Sequence, residues 1–598
     1  MGAWQNFVDG FKPADPSTAG LPAVSGSGID KKPVAPGTLD SSGHKTTPPG
    51  YDEKEFGTTT AAHAHAEESG SSSLEGSEED ENNDGLKRRL HSRHMQMIAF
   101  GGSIGTGLFV GSGGSLYNGG PGFLLIDFLL IGIMLFFVVM ALGELATVLP
   151  VSGSFASYST RFIDPAWGFA MGWNYWLQWF VVLPFELTVA TIVIQYWDVD
   201  QKISPGIWIT IFLVAILFIN LFGVKGYGEF ESAASMIKII ATIGFIIVAV
   251  VINCGGAPSG QYLGAGTWHN PGAFKNGFKG FCYVFANAAF AFGGTELIGL
   301  AAAETANPRK EVPRASKQIF WRIMIFYIIS LFLIGLIVPS DNDNLLGSTN
   351  ASSSPFVIAM NIGGIKVLPD IFNAVILISV LSVGNSAVYG ASRTLAAMAR
   401  FGQAPSFFGY IDREGRPIPA VLLSLVFGCF AYIQYASSAT TIFYWLLSLS
   451  ALSSIFTWGS VCLAHIRFRQ AWKQQGYSLE EIPWRSPTGA WGSVIGLGFN
   501  ILVLIFQFYV SAFPIPPADG TVPTSSERAV AFFQNYLAFP IVIAFYLFAK
   551  AVWRPKVVRI SDIDLVTGRK HVPLELLREE RAAERAQPLG KKILGAIC

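Results

Sequence analysis

The chain has 598 residues, of which 51% are hydrophobic and 14% charged, against about 25% charged in an ordinary soluble protein. Its 41 basic and 41 acidic side chains cancel, so net charge argues against nucleic acid as a partner. Five cysteines, at 254, 282, 429, 462 and 598, form no CxxC pair, so neither a disulfide framework nor a zinc site is indicated.

Residues 1–85 are rich in Gly, Ser, Pro, Thr, Asp and Glu and contain no apolar core of a signal peptide. They read as a disordered cytosolic tail. Its acidic cluster from Glu67 to Asp84 ends at Lys87, Arg88 and Arg89. The two histidines at 63 and 65 lie in this tail and do not make a metal site. The first apolar helix then serves as an uncleaved membrane signal.

A helix needs about 20 apolar residues to cross the hydrocarbon core. Twelve stretches qualify: 96–117, 122–149, 167–196, 206–224, 233–254, 280–303, 319–339, 368–399, 418–436, 441–465, 491–512 and 533–553. The expected fold is all-α and polytopic, with the membrane domain over 86–553 and a cytosolic tail over 554–598. With the N-terminus inside, the inner loops carry thirteen Lys and Arg: 161, 225, 309, 310, 314, 317, 400, 413, 416, 467, 469, 473 and 485. The outer loops carry five: 202, 275, 279, 366 and 528. That bias supports the orientation and places both tails in the cytosol. A sequon at Asn350 falls in an outer loop, as a glycosylation candidate. The charged run Arg578 to Arg585 reads as a solvated cytosolic helix.

Glycine interrupts two of the stretches. In the first, GGSIGTGLFVGSGG places glycines at 101, 102, 105, 107, 111, 113 and 114. In the sixth, Gly293 and Gly294 split FAFGGTELIG. Glycine costs about 1 kcal/mol per helix position relative to alanine, so a continuous helix is disfavoured there. Irregular backbone at membrane depth is tolerated where it lines a cavity or is buried in protein. Breaks at corresponding positions of two repeats mark a binding site near the midplane. Opposed half-helix ends suit a zwitterion, because free N–H groups meet a carboxylate and free carbonyls meet an ammonium. A free amino acid carries both groups close together.

Ionisable residues inside apolar spans are functional candidates by default. Glu144 lies in the second stretch, Glu186 in the third, Lys238 in the fifth and Glu296 in the sixth. Glu296 follows the Gly293 break by three residues, as a proton carrier or ammonium partner. Lys238, flanked by Met236, Ile237, Ile239 and Ile240, reads as a proton-linked switch. Asp127 is placed near the outer end of the second stretch, within reach of headgroups. Trp173, Trp176 and Trp179, at helical spacing, read as packing or interfacial residues rather than a substrate cage. No nucleophile–base or metal constellation is present, so an enzyme is not indicated.

Eight stretches together resemble the fungal amino-acid permeases of the amino acid–polyamine–organocation (APC) superfamily, in particular the general amino-acid permeases. They are GGSIGTGLFVGSG (101–113), MALGELATVLPVSGSF (140–155), YSTRFIDPAWGFAMGWNYWLQW (158–179), FGVKGYGE (222–229), FGGTELIGLAAAETANPRK (292–310), LSVGNSAVYGASRTLAAMA (381–399), LSALSSIFTWGSVCLAHIRFR (449–469) and SPTGAWGS (486–493). The resemblance implies twelve transmembrane helices, with a LeuT-like 5+5 inverted repeat, broken helices 1 and 6, and two further C-terminal helices. It implies import of amino acids across the plasma membrane by alternating access, driven by the proton gradient without a bound cofactor. It further implies that the substrate carboxylate meets main-chain N–H groups at Ser103, Ile104, Gly105, Thr106 and Gly107. The amine is expected at the carbonyls of Phe290, Ala291 and Gly293, with Phe292 as an aromatic gate. Gln178 and Ser450 match positions of side-chain selectivity. Glu296, Lys238, Glu186 and Glu144 are the expected proton-coupling group.

Two departures accompany this likeness. Asp127 stands where relatives carry a small or apolar residue, and the chain ends Gly595-Ala596-Ile597-Cys598 instead of aromatic-Cys. Leu576-Leu577 resembles a turnover signal, and Lys31, Lys32, Lys45 and Lys54 are expected acceptors for ubiquitin-ligase machinery, with traffic through endosomes and vacuole. The expected partners are thus an amino acid, a proton and membrane lipids. The competing readings are a narrow amino-acid or polyamine permease, and a transporter-like sensor. The modest N-terminal tail favours transport over sensing.

Overall fold

A computed structural model describes residues 90–588, apart from 91, 199, 201, 306, 347–353, 436–438, 517–523 and 570–571. Asn350, His63, His65, the four N-terminal lysines and Cys598 lie outside the described residues. Among the described residues the regular structure is helical, apart from one parallel bridge between Leu90 and Thr305.

Helix α1 (Ser92–Ser103) leads through a π-helical turn (Gly107–Gly111) into α2 (Ser112–Val148). Within α2, Gly120 takes φ 79° and Pro121 follows it. Glycine tolerates the left-handed region and proline withdraws a helix donor, so the chain kinks there without a loop. The first two apolar stretches therefore form one bent element. Then come α3 (Ser154–Phe162), α4 (Pro165–Ile194), α5 (Pro205–Leu221), α6 (Gly223–Asn253), α7 (Gly277–Ala291) and the short α8 (Leu297–Ala301). After these lie α9 (Pro308–Ile337), α10 (Pro355–Ile362), α11 (Leu368–Arg400), α12 (Ile418–Gly428), α13 (Ala439–Gln474) and α14 (Gly489–Ala512). The last three are α15 (Ser525–Tyr536), α16 (Ala538–Trp553) and α17 (Leu574–Ala586).

Helix starts follow from local chemistry. The Asp164 side chain accepts from the Ala166 N–H at 2.9 Å ahead of Pro165, satisfying an otherwise orphan donor at the start of α4. Among the described residues, five helical runs are long and apolar enough to cross a membrane: 94–148, α4, α6, α11 and α14. The α15–α16 pair, bent by 61°, makes a sixth. Apolar helices too short for that measure occupy α5, 324–337 of α9, and 418–433.

The burial pattern is that of a protein solvated by lipid. On α6, Ile240 and Ile247 are 63% and 60% exposed, whereas Glu231 and Lys238 are fully buried. In water such a helix would turn over. In hydrocarbon it is the stable arrangement, because charge is costly there and apolar surface is not. Helices α4 and α11 are among the most buried and pack along each other, with α13 against α4, α1 and α6 against α11, and α12 against both.

Asp127 departs from expectation. It is fully buried and its carboxyl oxygens have no hydrogen-bond partner, because its side of α2 packs inside the bundle and does not face headgroups. The C-terminal charged run also differs from a freely solvated helix. Leu577 is buried, Arg578 Nη2 lies 2.8 Å from Glu480, and Arg309 Nη2 lies 2.8 Å from Glu580. Upstream, Arg161 donates to the Thr567 carbonyl at 2.6 Å, and Ile563 and Leu565 are buried. The segment is a strap held against the loops at one end of the bundle.

Candidate functional site

The helix between α1 and the π-helical turn is broken at Ile104 and Gly105, and the helix between α7 and α8 is open from Phe292 to Glu296. The two breaks meet backbone to backbone. A Cβ added at Gly294 would overlap the Gly102 carbonyl, and Gly294 holds φ +96°. A Cβ added at Gly107 would lie 2.5 Å from Ala291 Cα. Only glycine fits the first position on both counts. At the second, absence of a side chain permits the approach.

Tyr327 of α9 joins the two breaks. Its hydroxyl is 2.8 Å from the Ser103 carbonyl oxygen and 2.7 Å from that of Ala291, and its single proton can serve one of them at a time. The ring of Phe292 stacks on the Tyr327 ring at 4.6 Å. On the other side of the sixth-span break, Glu296 Oε2 accepts from the Gly294 N–H at 3.0 Å and from Trp458 Nε1 at 3.1 Å.

Between the breaks lies a small, partly open cavity. Its walls include ten of the residues expected from sequence: Ser103, Gly105, Thr106, Gly107, Gln178, Glu186, Phe290, Ala291, Gly293 and Ser450. It also takes Gly102, Trp179, Val182, Gly294, Val383 and Ser454. Helical spacing put Trp179 with Trp173 and Trp176, yet only Trp179 reaches the cavity. Val383 and Ser454 carry no signal in the sequence, because several similar small residues stand beside each of them on α11 and α13.

Other expected residues stand elsewhere. Ile104 is fully buried and outside the lining, and Phe292 faces Tyr327 and Phe128 instead of the cavity. The lining aromatics are Phe290 and Trp179. Glu296 is buried behind the wall, tied to the backbone of its own break. Glu144 is not brought to the site. Its carboxylate meets Arg469 Nε at 2.5 Å, His465 Nε2 at 3.2 Å and the Ser486 N–H at 2.7 Å, which makes it a structural ion-pair centre between α2 and α13.

Glu186 lines the cavity and accepts from Thr106 Oγ1 at 2.5 Å. Lys238 lies behind the first break, where its Nζ donates to the Gly101 carbonyl at 2.7 Å and to Ser382 Oγ at 2.9 Å. Glu231, which the sequence reading left outside the fifth stretch, is fully buried and accepts from Ser382 Oγ. The signal for it was its seven-residue spacing from Lys238, two helical turns along one face.

A polar-lined cavity where two interrupted helices meet, inside a bundle with an apolar outer face, defines a membrane carrier. Comparison with known proteins identifies which kind. The amino acid permease family matches residues 94–561, and the chain belongs to that family, within the APC superfamily. It is 52% identical over 521 residues to cationic amino acid transporter 1 of Schizosaccharomyces pombe, covering 86% of each chain. General amino-acid permease GAP2 of Candida albicans is 50% identical over 525 residues, covering 86% of this chain and 88% of the relative. General amino-acid permease GAP1 of Saccharomyces cerevisiae is 49% identical over 511 residues, covering 84% and 83%. The chain is therefore a multi-pass membrane permease and not an enzyme, and its substrate class is the amino acids.

Proposed function

We propose that this permease imports a broad range of amino acids across the plasma membrane together with protons, by alternating access. The observation that carries the reading is the cavity formed where the two glycine breaks cross, with Lys238 bonded to the carbonyl of Gly101 immediately behind it. The substrate carboxylate binds the free N–H groups of the helix that restarts at Thr106 and Gly107, where the dipole is positive. The ammonium binds carbonyls at the end of α7, where Tyr327 competes for Ala291. Gln178, Ser450 and Ser454 border the side-chain end of the cavity with hydrogen-bonding groups and no fixed charge, which suits varied side chains.

In this reading the chain crosses the membrane twelve times over 86–553, with spans 1–5 and 6–10 as inverted repeats. Residues 1–85 and 554–598 are cytosolic tails, and the N-terminal lysines are sites for ubiquitin-ligase machinery. Proton coupling centres on Lys238 and Glu186, while Glu296 holds the sixth-span break in shape.

A preference for cationic substrates is favoured by the Glu186 carboxylate in the cavity wall and by the likeness to cationic amino acid transporter 1. That carboxylate is engaged by Thr106, which leaves it less able to hold a side-chain ammonium. Uptake of radiolabelled amino acids by cells expressing the chain, with competition by each of the twenty, tests both points. Failure to accumulate any amino acid defeats the transport reading. Competition confined to arginine, lysine and histidine replaces the broad range with a cationic one.

A further inference from the structure

The face of α6 turned into the bundle carries two ionisable groups, Glu231 and Lys238, both fully buried. Ser382 of α11 stands between them, accepting from Lys238 Nζ at 2.9 Å and donating to Glu231 Oε1. The same ammonium donates to the Gly101 carbonyl at 2.7 Å, two residues before the cavity-lining Ser103. Room for the carboxylate is made by a missing side chain, since a Cβ at Gly101 would overlap Glu231 Oε1. Glu231, Ser382, Lys238 and the backbone of the first break thus form one connected unit.

The surrounding charges are accounted for. On α6, Tyr227 also neighbours Glu231, and Glu229 is engaged with His94 of α1 at 3.2 Å. From α11, Asn385 and Ser386 flank the carboxylate, while Arg393 pairs with Glu304 at 3.2 Å and Tyr389 donates to Glu304 at 2.8 Å. From α4, Glu186 acts on Lys238. On α9, the buried Tyr327 is committed to the Ser103 and Ala291 carbonyls. Helices α5 and α10 contain no titratable residue.

We propose that Glu231 is the proton-accepting member of a Glu231–Lys238 pair that controls the charge behind the substrate carboxylate, with Ser382 as the bridge. This rests on the proton-coupled reading above. With Glu231 ionised, the pair is neutral and the Lys238 ammonium is balanced. When Glu231 takes up one proton it becomes a neutral acid, the pair gains one positive charge, and that charge adjoins the first break. The break then attracts a carboxylate more strongly. By linkage, substrate binding strengthens proton binding by the same factor. Release of the proton restores the ion pair and weakens the hold on substrate.

The test is the pH dependence of substrate affinity in purified full-length protein, read with a radiolabelled amino acid. Wild-type affinity should tighten as pH falls. Glu231→Gln mimics the protonated acid, so it should bind with the acid-limit affinity at every pH and lose proton-driven accumulation in proteoliposomes. Glu231→Asp should restore the pH dependence. Ser382→Ala keeps both charges but removes the bridge, and should displace the midpoint of the profile by about half a pH unit or more. A wild-type profile in Glu231→Gln overturns the proposal. If Glu231→Gln does not fold, an unshifted profile in Ser382→Ala overturns it instead. Wild-type binding and uptake that both ignore pH would defeat the proton-coupled reading itself, a result separate from failure of the Glu231 variants alone.

Discussion

At the residue scale, the site depends on what certain positions lack. Gly294 has φ +96° and meets the Gly102 carbonyl. An alanine there bears a backbone cost of about 1–3 kcal/mol and pushes the two breaks apart. Gly294→Ala should therefore lower uptake more than tenfold at equal surface expression. Gly244→Ala, at a position with open space around it, should leave uptake unchanged. Cell-surface labelling alongside radiolabelled uptake distinguishes these outcomes. Glu296 presents a different dependence. Its Oε2 receives both N–H groups, and a glutamine carbonyl can receive them equally well, whereas alanine leaves them buried without an acceptor. We expect Glu296→Gln to keep proton-driven uptake within about tenfold of wild type and Glu296→Ala to lose it, the orphaned donors costing about 1–3 kcal/mol each. If Glu296→Gln instead loses its pH response while binding substrate normally, Glu296 carries the proton.

At the element scale, ion pairs fasten helices that apolar packing alone would leave free to slide, since lipid is as apolar as the helix surfaces. Glu144 joins α2 to α13 through Arg469 and His465, and to the following loop through the Ser486 N–H. Removing one partner of a buried pair strands the other, at about 3–5 kcal/mol. Glu144→Ala should thus lower the unfolding temperature of the detergent-solubilised protein by several degrees, without changing the pH dependence of any residual uptake. The Glu480–Arg578 contact is the contrasting case. Arg578 holds the Glu480 carboxyl below the ordinary range, but both side chains are exposed, and exposed pairs are screened by water and salt. Glu480→Ala should leave the melting temperature unchanged, which the same thermal scan reads.

At the scale of the whole molecule, transport couples a cavity to an energy source. One pH unit corresponds to about 1.4 kcal/mol per proton, or about tenfold accumulation at one proton per substrate. In proteoliposomes, imposing an acid exterior should drive amino-acid accumulation that rises with the size of the gradient, and a proton ionophore should collapse it. Persistent accumulation with the ionophore present would exclude protons as the driving ion. The outer surface supplies the other requirement. Ile240, Ile247 and Phe218 are each at least 60% exposed, a pattern compatible with lipid and not with water.

The sequence by itself determined the solvent, the helical architecture and the place of the breaks. A 20-residue apolar run has one stable use in hydrocarbon, and seven glycines in fourteen residues cannot sustain a helix cheaply. It also pointed to ten residues of the cavity wall, because backbone breaks are local properties and the family motifs run through them. What only the tertiary structure decided is which side chains the packing turns inward. Trp179 and Val383 reach the cavity while Phe292 and Glu296 do not. Glu144 is claimed by α13, the charged C-terminal run is docked, and Asp127 is enclosed. These outcomes depend on the rotation of one helix against another, which the residues of a single helix do not encode. Glu231 shows the limit most plainly. Its spacing from Lys238 is written in the sequence, but Ser382 and Gly101, which join it to the site, arrive from two other helices.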